Sequence, residues 1–81
     1  MTNNVVVFTS EGCSYCEKVL DFFKGHGIEP HQRNVSHNEV DFKEWKSINP
    51  IGTPLTCYGE KQVVGFNEKK LLAIAEQYNS K

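Results

Sequence analysis

Eighty-one residues with a net charge of −1 and 38% apolar side chains suffice for a single domain over residues 1–81 with a small core. The nine Lys and Arg are scattered among ten Asp and Glu, which excludes an electrostatic footprint for nucleic acid or a polybasic patch for a membrane surface. No long apolar run is present, and Met1-Thr2-Asn3-Asn4 lacks the charged and hydrophobic segments of a signal peptide, so the expected location is cytoplasmic. Thiols are kept largely reduced there. Three cysteines in that compartment do not make a structural disulfide framework; a close pair among them is catalytic or metal-binding.

The chain opens with Val5-Val6-Val7-Phe8, β-branched and continuously apolar, as a strand covered on both faces must be. It runs out in the polar turn Thr9-Ser10-Glu11-Gly12. A helix follows, in which Cys16, Val19, Leu20 and Phe23 fall at i, i+3, i+4 and i+7 and share the face turned to the sheet. Gly25-His26-Gly27 stops it, with a glycine for the left-handed cap and a solvated histidine at the C-terminus. Ile28 to Val35 is a weak strand, and Pro30 confines it to an edge or to the strand's start. Ser36-His37-Asn38-Glu39 has the capping-box pattern and starts a second helix, whose apolar side is Val40, Phe42, Trp45 and Ile48, imperfectly phased. Trp45 reads as a partly buried anchor. Asn49-Pro50-Ile51-Gly52-Thr53-Pro54 breaks the helix. Leu55-Thr56-Cys57-Tyr58 and Gln62-Val63-Val64 form a hairpin about Gly59-Glu60-Lys61, with Cys57 an inert core residue of a central strand. Asn67 caps a last helix in which Leu71, Ile74, Ala75 and Tyr78 form the buried stripe, widened by Leu72, and Asn79-Ser80-Lys81 frays.

The order is therefore β-α-β-α-β-β-α: an α/β fold with a mixed four-stranded sheet and helices on both faces. If the third strand lies antiparallel to the first, its start at Thr53-Pro54 comes beside the end of the first strand and next to Cys13.

Cys13-Ser14-Tyr15-Cys16 is the chemical centre. Cys16 belongs to the buried stripe, whereas Cys13 sits at the helix mouth, where unsatisfied N–H groups and the macrodipole favour an anion. In such Cys-X-X-Cys settings a thiol pKa falls from about 8.5 into the range of roughly 3.5 to 7.5. Cys13 is thus the expected nucleophile and Cys16 the expected resolving thiol.

These residues resemble the glutaredoxin family of the thioredoxin fold, over essentially the full chain. Cys13-Ser14-Tyr15-Cys16 is similar to the family's Cys-Pro-Tyr-Cys, and Gly52-Thr53-Pro54 to its Gly-Thr/Val-Pro with a cis proline. Gly65-Phe66-Asn67-Glu68 with Leu71 resembles its Gly-Gly-X-Asp region ahead of the last helix. The resemblance implies a dithiol thiol-disulfide oxidoreductase, an electron carrier in redox homeostasis, with no tightly bound cofactor and glutathione as co-substrate. No metal is expected, because one Cys-X-X-Cys supplies two ligands and a closed site would need Cys57 or a histidine brought close. It implies that Pro54 is cis and that the Thr53 backbone pairs with the peptide part of the bound disulfide. Tyr15 matches the tyrosine flanking the tripeptide, and the Phe66 and Asn67 amides are placed to hold the glutamyl carboxylate. Three positions depart from the pattern. Ser10 stands where the family usually has lysine, Val64-Gly65 replaces the glycine pair, and Asn67 replaces the aspartate. These departures resemble the glutaredoxin-like redoxins that take electrons from thioredoxin reductase and supply ribonucleotide reductase. A third reading, from members that bridge a [2Fe-2S] cluster between subunits, stays open beside the expected monomer acting on disulfide-containing proteins.

Overall fold

The computed structural model describes residues 4–48 and 52–80. Its elements are β1 (Val6–Thr9), α1 (Ser14–Gly25), β2 (His31–Asn34), α2 (Glu39–Ile48), β3 (Leu55–Tyr58), β4 (Lys61–Val64) and α3 (Glu68–Asn79), in the expected order. The strands form one mixed sheet in the order β2-β1-β3-β4, with β1 parallel to β2, antiparallel to β3, and β3 antiparallel to β4. Among the described residues no helix is long and apolar enough to cross a membrane.

Strand alternation divides the sheet into two unlike faces. Val7 pairs with Thr56 and Thr56 with Val63, so these three share a face with Val5 and Tyr58. Against that face lie Val19 and Phe23 of α1 and Leu71, Ile74 and Ala75 of α3, which together with Ile28 complete the apolar core. The opposite face carries Phe8, Leu55, Cys57 and Val64. Arg33 of β2, the register partner of Phe8, holds α2 over it. Its guanidinium lies 5.4 Å from the Phe8 ring centroid and bonds Asp41 at 2.7 Å and Glu44 at 2.5 Å.

The second helix departs most from expectation. None of its residues is buried, and Val40, Phe42 and Ile48 are exposed while Trp45 is half-buried. At about 100° per residue these four side chains spread over roughly 200° of the helix, too wide for one inward stripe. Among the described residues its polar ties to the rest of the fold are the Arg33 pairs with Asp41 and Glu44 and the bond from Trp45 Nε1 to the Gly52 carbonyl. Its start also differs: Asn38 Oδ1 accepts the Asp41 N–H at 3.1 Å, while the Ser36 hydroxyl, expected to cap, accepts the Glu11 N–H at 2.9 Å. A tertiary bond has displaced the local one.

Smaller differences follow the same logic. Thr9 belongs to β1 rather than to the turn, because its carbonyl accepts the Val35 N–H at 2.8 Å. Of the expected second strand only His31–Asn34 forms β2, beginning directly after Pro30, with the Val35 bond to Thr9 closing its end. Leu72 is exposed, since the stripe of Leu71, Ile74 and Ala75 already fills the contact with the sheet. The α1 stop is as expected: His26 donates to the Phe23 carbonyl at 3.0 Å and Gly27 takes φ +76°. The expected fraying does not begin at Asn79, which is the last residue of α3 and donates through Nδ2 to the His26 carbonyl at 3.2 Å. Lys81 and the expected helix break at Asn49-Pro50-Ile51 lie outside the described residues.

Candidate active site

The site begins where β1 ends. Gly12 turns the chain at φ +74°, a conformation side-chain-bearing residues avoid, and delivers Cys13 to the N-cap of α1 in an extended conformation. The Cys13 sulfur occupies the place usually taken by a capping oxygen and accepts the Cys16 N–H at 3.1 Å. A disulfide joins Cys13 to Cys16, their Cα atoms 5.3 Å apart. The two sulfurs are not equivalent. Cys13 is half-buried at the helix mouth, whereas Cys16 is 3% exposed on the inward stripe beside Val19 and Phe23.

The turn before Cys13 is fastened from outside. Besides the Glu11–Ser36 bond, the Glu11 carboxylate meets His37 Nε2 at 2.7 Å. On its other side the antiparallel register, Phe8 opposite Leu55, carries Ser10 towards Thr53, and their hydroxyls meet at 2.6 Å. The Thr53–Pro54 peptide bond is cis, as the resemblance implies. Pro54 is buried and its carbonyl accepts the Gly65 N–H at 2.8 Å, while Trp45 Nε1 donates to the Gly52 carbonyl at 3.2 Å.

A cleft of about 300 Å³ opens at the disulfide, lined by Thr9, Ser10, Gly12, Cys13, Ser14, Cys16, Glu17, Leu20 and Gln32. Gln32 Nε2 donates to Thr9 Oγ1 at 3.2 Å along its wall. Of the expected site residues, Cys13 and Cys16 line this cleft; Tyr15, Thr53, Pro54, Phe66 and Asn67 do not. Tyr15 stands 56% exposed with the Lys18 ammonium 5.1 Å from its ring centroid. Thr53 is tied to the cleft through Ser10. Phe66 sets its ring edge-on to Phe22, 6.3 Å between centroids, and packs against the core. Asn67 caps α3, its Oδ1 accepting the Lys70 N–H at 3.2 Å. The side chains of Phe66 and Asn67 are thus engaged structurally, and only their backbone amides are left for a ligand. Among the described residues neither amide finds an acceptor.

Ser10, Glu17, Leu20 and Gln32 were not singled out from the sequence as parts of a site. Ser10 was legible only as a missing cation; continuing the Phe8–Leu55 register by two residues in each strand would have placed it opposite Thr53. The third thiol stands apart. Cys57 lies on the Phe8 face, with the sheet between it and α1, half-buried rather than in the core. Burial pushes its thiol up, and the Glu44 carboxylate adds to that. Among the described residues no group of three or more His, Cys, Asp or Glu side chains gathers around a common metal position.

A mixed sheet of this topology, with a Cys-X-X-Cys pair opening the first helix and a cis proline before the third strand, defines a thioredoxin-like dithiol protein. The glutaredoxin family model matches residues 5–55, the segment holding Cys13, Cys16, Thr53 and Pro54. The chain belongs to the glutaredoxin family, and its pair marks a thiol-disulfide oxidoreductase of the dithiol type. Solved structures agree in fold. The grx-1 glutaredoxin of Archaeoglobus fulgidus superposes with a TM-score of 0.74 at 24% identity, over 90% of this chain and 86% of that one. The glutaredoxin of Methanosarcina mazei Go1 gives 0.75 at 22% identity, over 90% and 78%. No curated protein sequence matches the chain.

Proposed function

We propose that the protein reduces protein and glutathione mixed disulfides with Cys13 as nucleophile and Cys16 as resolving thiol, and that glutathione resets the pair. The carrying observation is the asymmetry of the two sulfurs: one at a helix N-cap with an amide 3.1 Å away, the other 3% exposed. In the reduced protein that amide and the helix N-terminus favour a thiolate at Cys13.

The Cys13 thiolate attacks one sulfur of the substrate disulfide, forming a Cys13–substrate bond and expelling the other sulfur as a thiolate. Cys16 then gives up its proton to solvent and attacks Cys13 Sγ. The substrate leaves as its second thiolate, carrying two electrons in all, and the Cys13–Cys16 disulfide forms. Two glutathione molecules return those electrons and become glutathione disulfide.

The amides of Phe66 and Asn67 at the start of α3 offer a place for the tripeptide's glutamyl carboxylate, and exposed Tyr15 offers a flank. Ser10 supplies no cation for its glycine carboxylate, which favours thioredoxin reductase as the competing electron source. The test is NADPH-linked reduction of a small mixed disulfide with either glutathione plus its reductase or thioredoxin reductase alone. Turnover in the glutathione system is the expected result; turnover only with thioredoxin reductase would refute the glutathione assignment and leave the dithiol chemistry standing.

A further inference from the structure

The loop Gly52-Thr53-Pro54 is held at three points, each by a different part of the fold. Trp45 of α2 donates to Gly52, Gly65 beyond β4 donates to Pro54, and Ser10 bonds the Thr53 hydroxyl between them. Only the Ser10 bond reaches the turn that carries Cys13. Ser10 lies three positions before Cys13 and lines the same cleft, so the 2.6 Å hydroxyl pair is a direct mechanical link between the nucleophile's turn and Thr53. Thr53 is half-buried, and among the described residues its own N–H and C=O have no backbone partner.

We infer that Ser10 is a positioning residue for substrate. Its hydroxyl holds Thr53 so that the Thr53 backbone faces the peptide whose disulfide is attacked at Cys13. The inference rests on the reading that Thr53 pairs with substrate backbone. It gives the side chain at position 10 a role that a missing cation does not: binding is set through a hydrogen bond, and the thiolate itself is left alone. Ser10 is also separable from folding. The β1–β3 ladder is made by Val6, Val7 and Phe8 against Cys57, Thr56 and Leu55, and Ser10 lies outside it.

Each hydroxyl carries one hydrogen, so one of the pair donates and the other accepts. Ser10→Ala and Thr53→Val each remove the bond, whereas Ser10→Thr keeps it. The experiment measures KM and kcat for a glutathionylated peptide and, separately, the pH profile of Cys13 alkylation by iodoacetamide. Ser10→Ala is expected to raise KM about three- to tenfold, the size of one net hydrogen bond, with kcat within about twofold and the alkylation profile unmoved. Ser10→Thr restores KM, and the Ser10→Ala/Thr53→Val double variant is no worse than either single one. An unchanged KM, a shifted alkylation profile or additive single effects would overturn the inference. Retained turnover by Cys13→Ser in the same assay would overturn the functional reading itself, a distinct outcome.

Discussion

Replacing Arg33 with Met tests how α2 is held. Methionine keeps an unbranched apolar stem over Phe8 but leaves Asp41 and Glu44 without their cation. The Asp41 side chain is 16% exposed and Arg33 19%, so their 2.7 Å bond is largely sheltered and should contribute about 1.5–3 kcal/mol, as charge-assisted hydrogen bonds do. Glu44 is 44% exposed, and its share is about 0–1 kcal/mol. The expected loss is about 1.5–4 kcal/mol, or about 6–30 °C in Tm for a domain of this size. Urea and thermal unfolding of the oxidised protein measure it. Lys43→Met is the control: its pair with Glu39 spans 3.9 Å between side chains more than 70% exposed, and its loss should cost under about 0.5 kcal/mol. An Arg33→Met protein as stable as the Lys43→Met protein would refute the claim that the Arg33 ion pairs help to dock α2.

Two further outcomes follow from individual groups. Because burial and Glu44 raise the Cys57 thiol, Cys57 in the fully reduced protein should alkylate more slowly than Cys13 at neutral pH and gain rate only above the ordinary thiol range; equal labelling at pH 7, read by peptide mass spectrometry, would contradict this. Asn67→Ala should cost about 1 kcal/mol through the lost α3 cap while Asn67→Asp keeps it, and a stable Asn67→Ala protein in urea unfolding would mean the cap is idle.

Much of the fold was legible because local and global signals coincide. Cys16, Val19 and Phe23 repeat at helical spacing and are the buried residues of α1; Asn67 caps α3 as its side-chain chemistry suggests. The separation of Cys13 from Cys16 follows from the same helical phase. The start of the second helix is decided by distant partners that its local sequence does not show. Ser36 is a competent cap, but Glu11, 25 residues away in sequence, takes its hydroxyl, and Asn38 caps instead. Nothing local to Arg33 announces that it would bridge Phe8, Asp41 and Glu44. Ser10 likewise acquires its role only when the β1–β3 register brings Thr53 opposite, a separation of 43 residues. The sequence marks Trp45 as a partly buried anchor, and it is half-buried; that its indole N–H holds the Gly52 carbonyl depends on where the loop after α2 returns.

The most direct test of the two-thiol account is to mix reduced Cys16→Ser protein with glutathione disulfide, quench in acid and locate the adduct by mass spectrometry. One glutathione on Cys13, with Cys57 free, is the expected result. No adduct, or one carried by Cys57 instead, would contradict the assignment of Cys13 as the attacking sulfur.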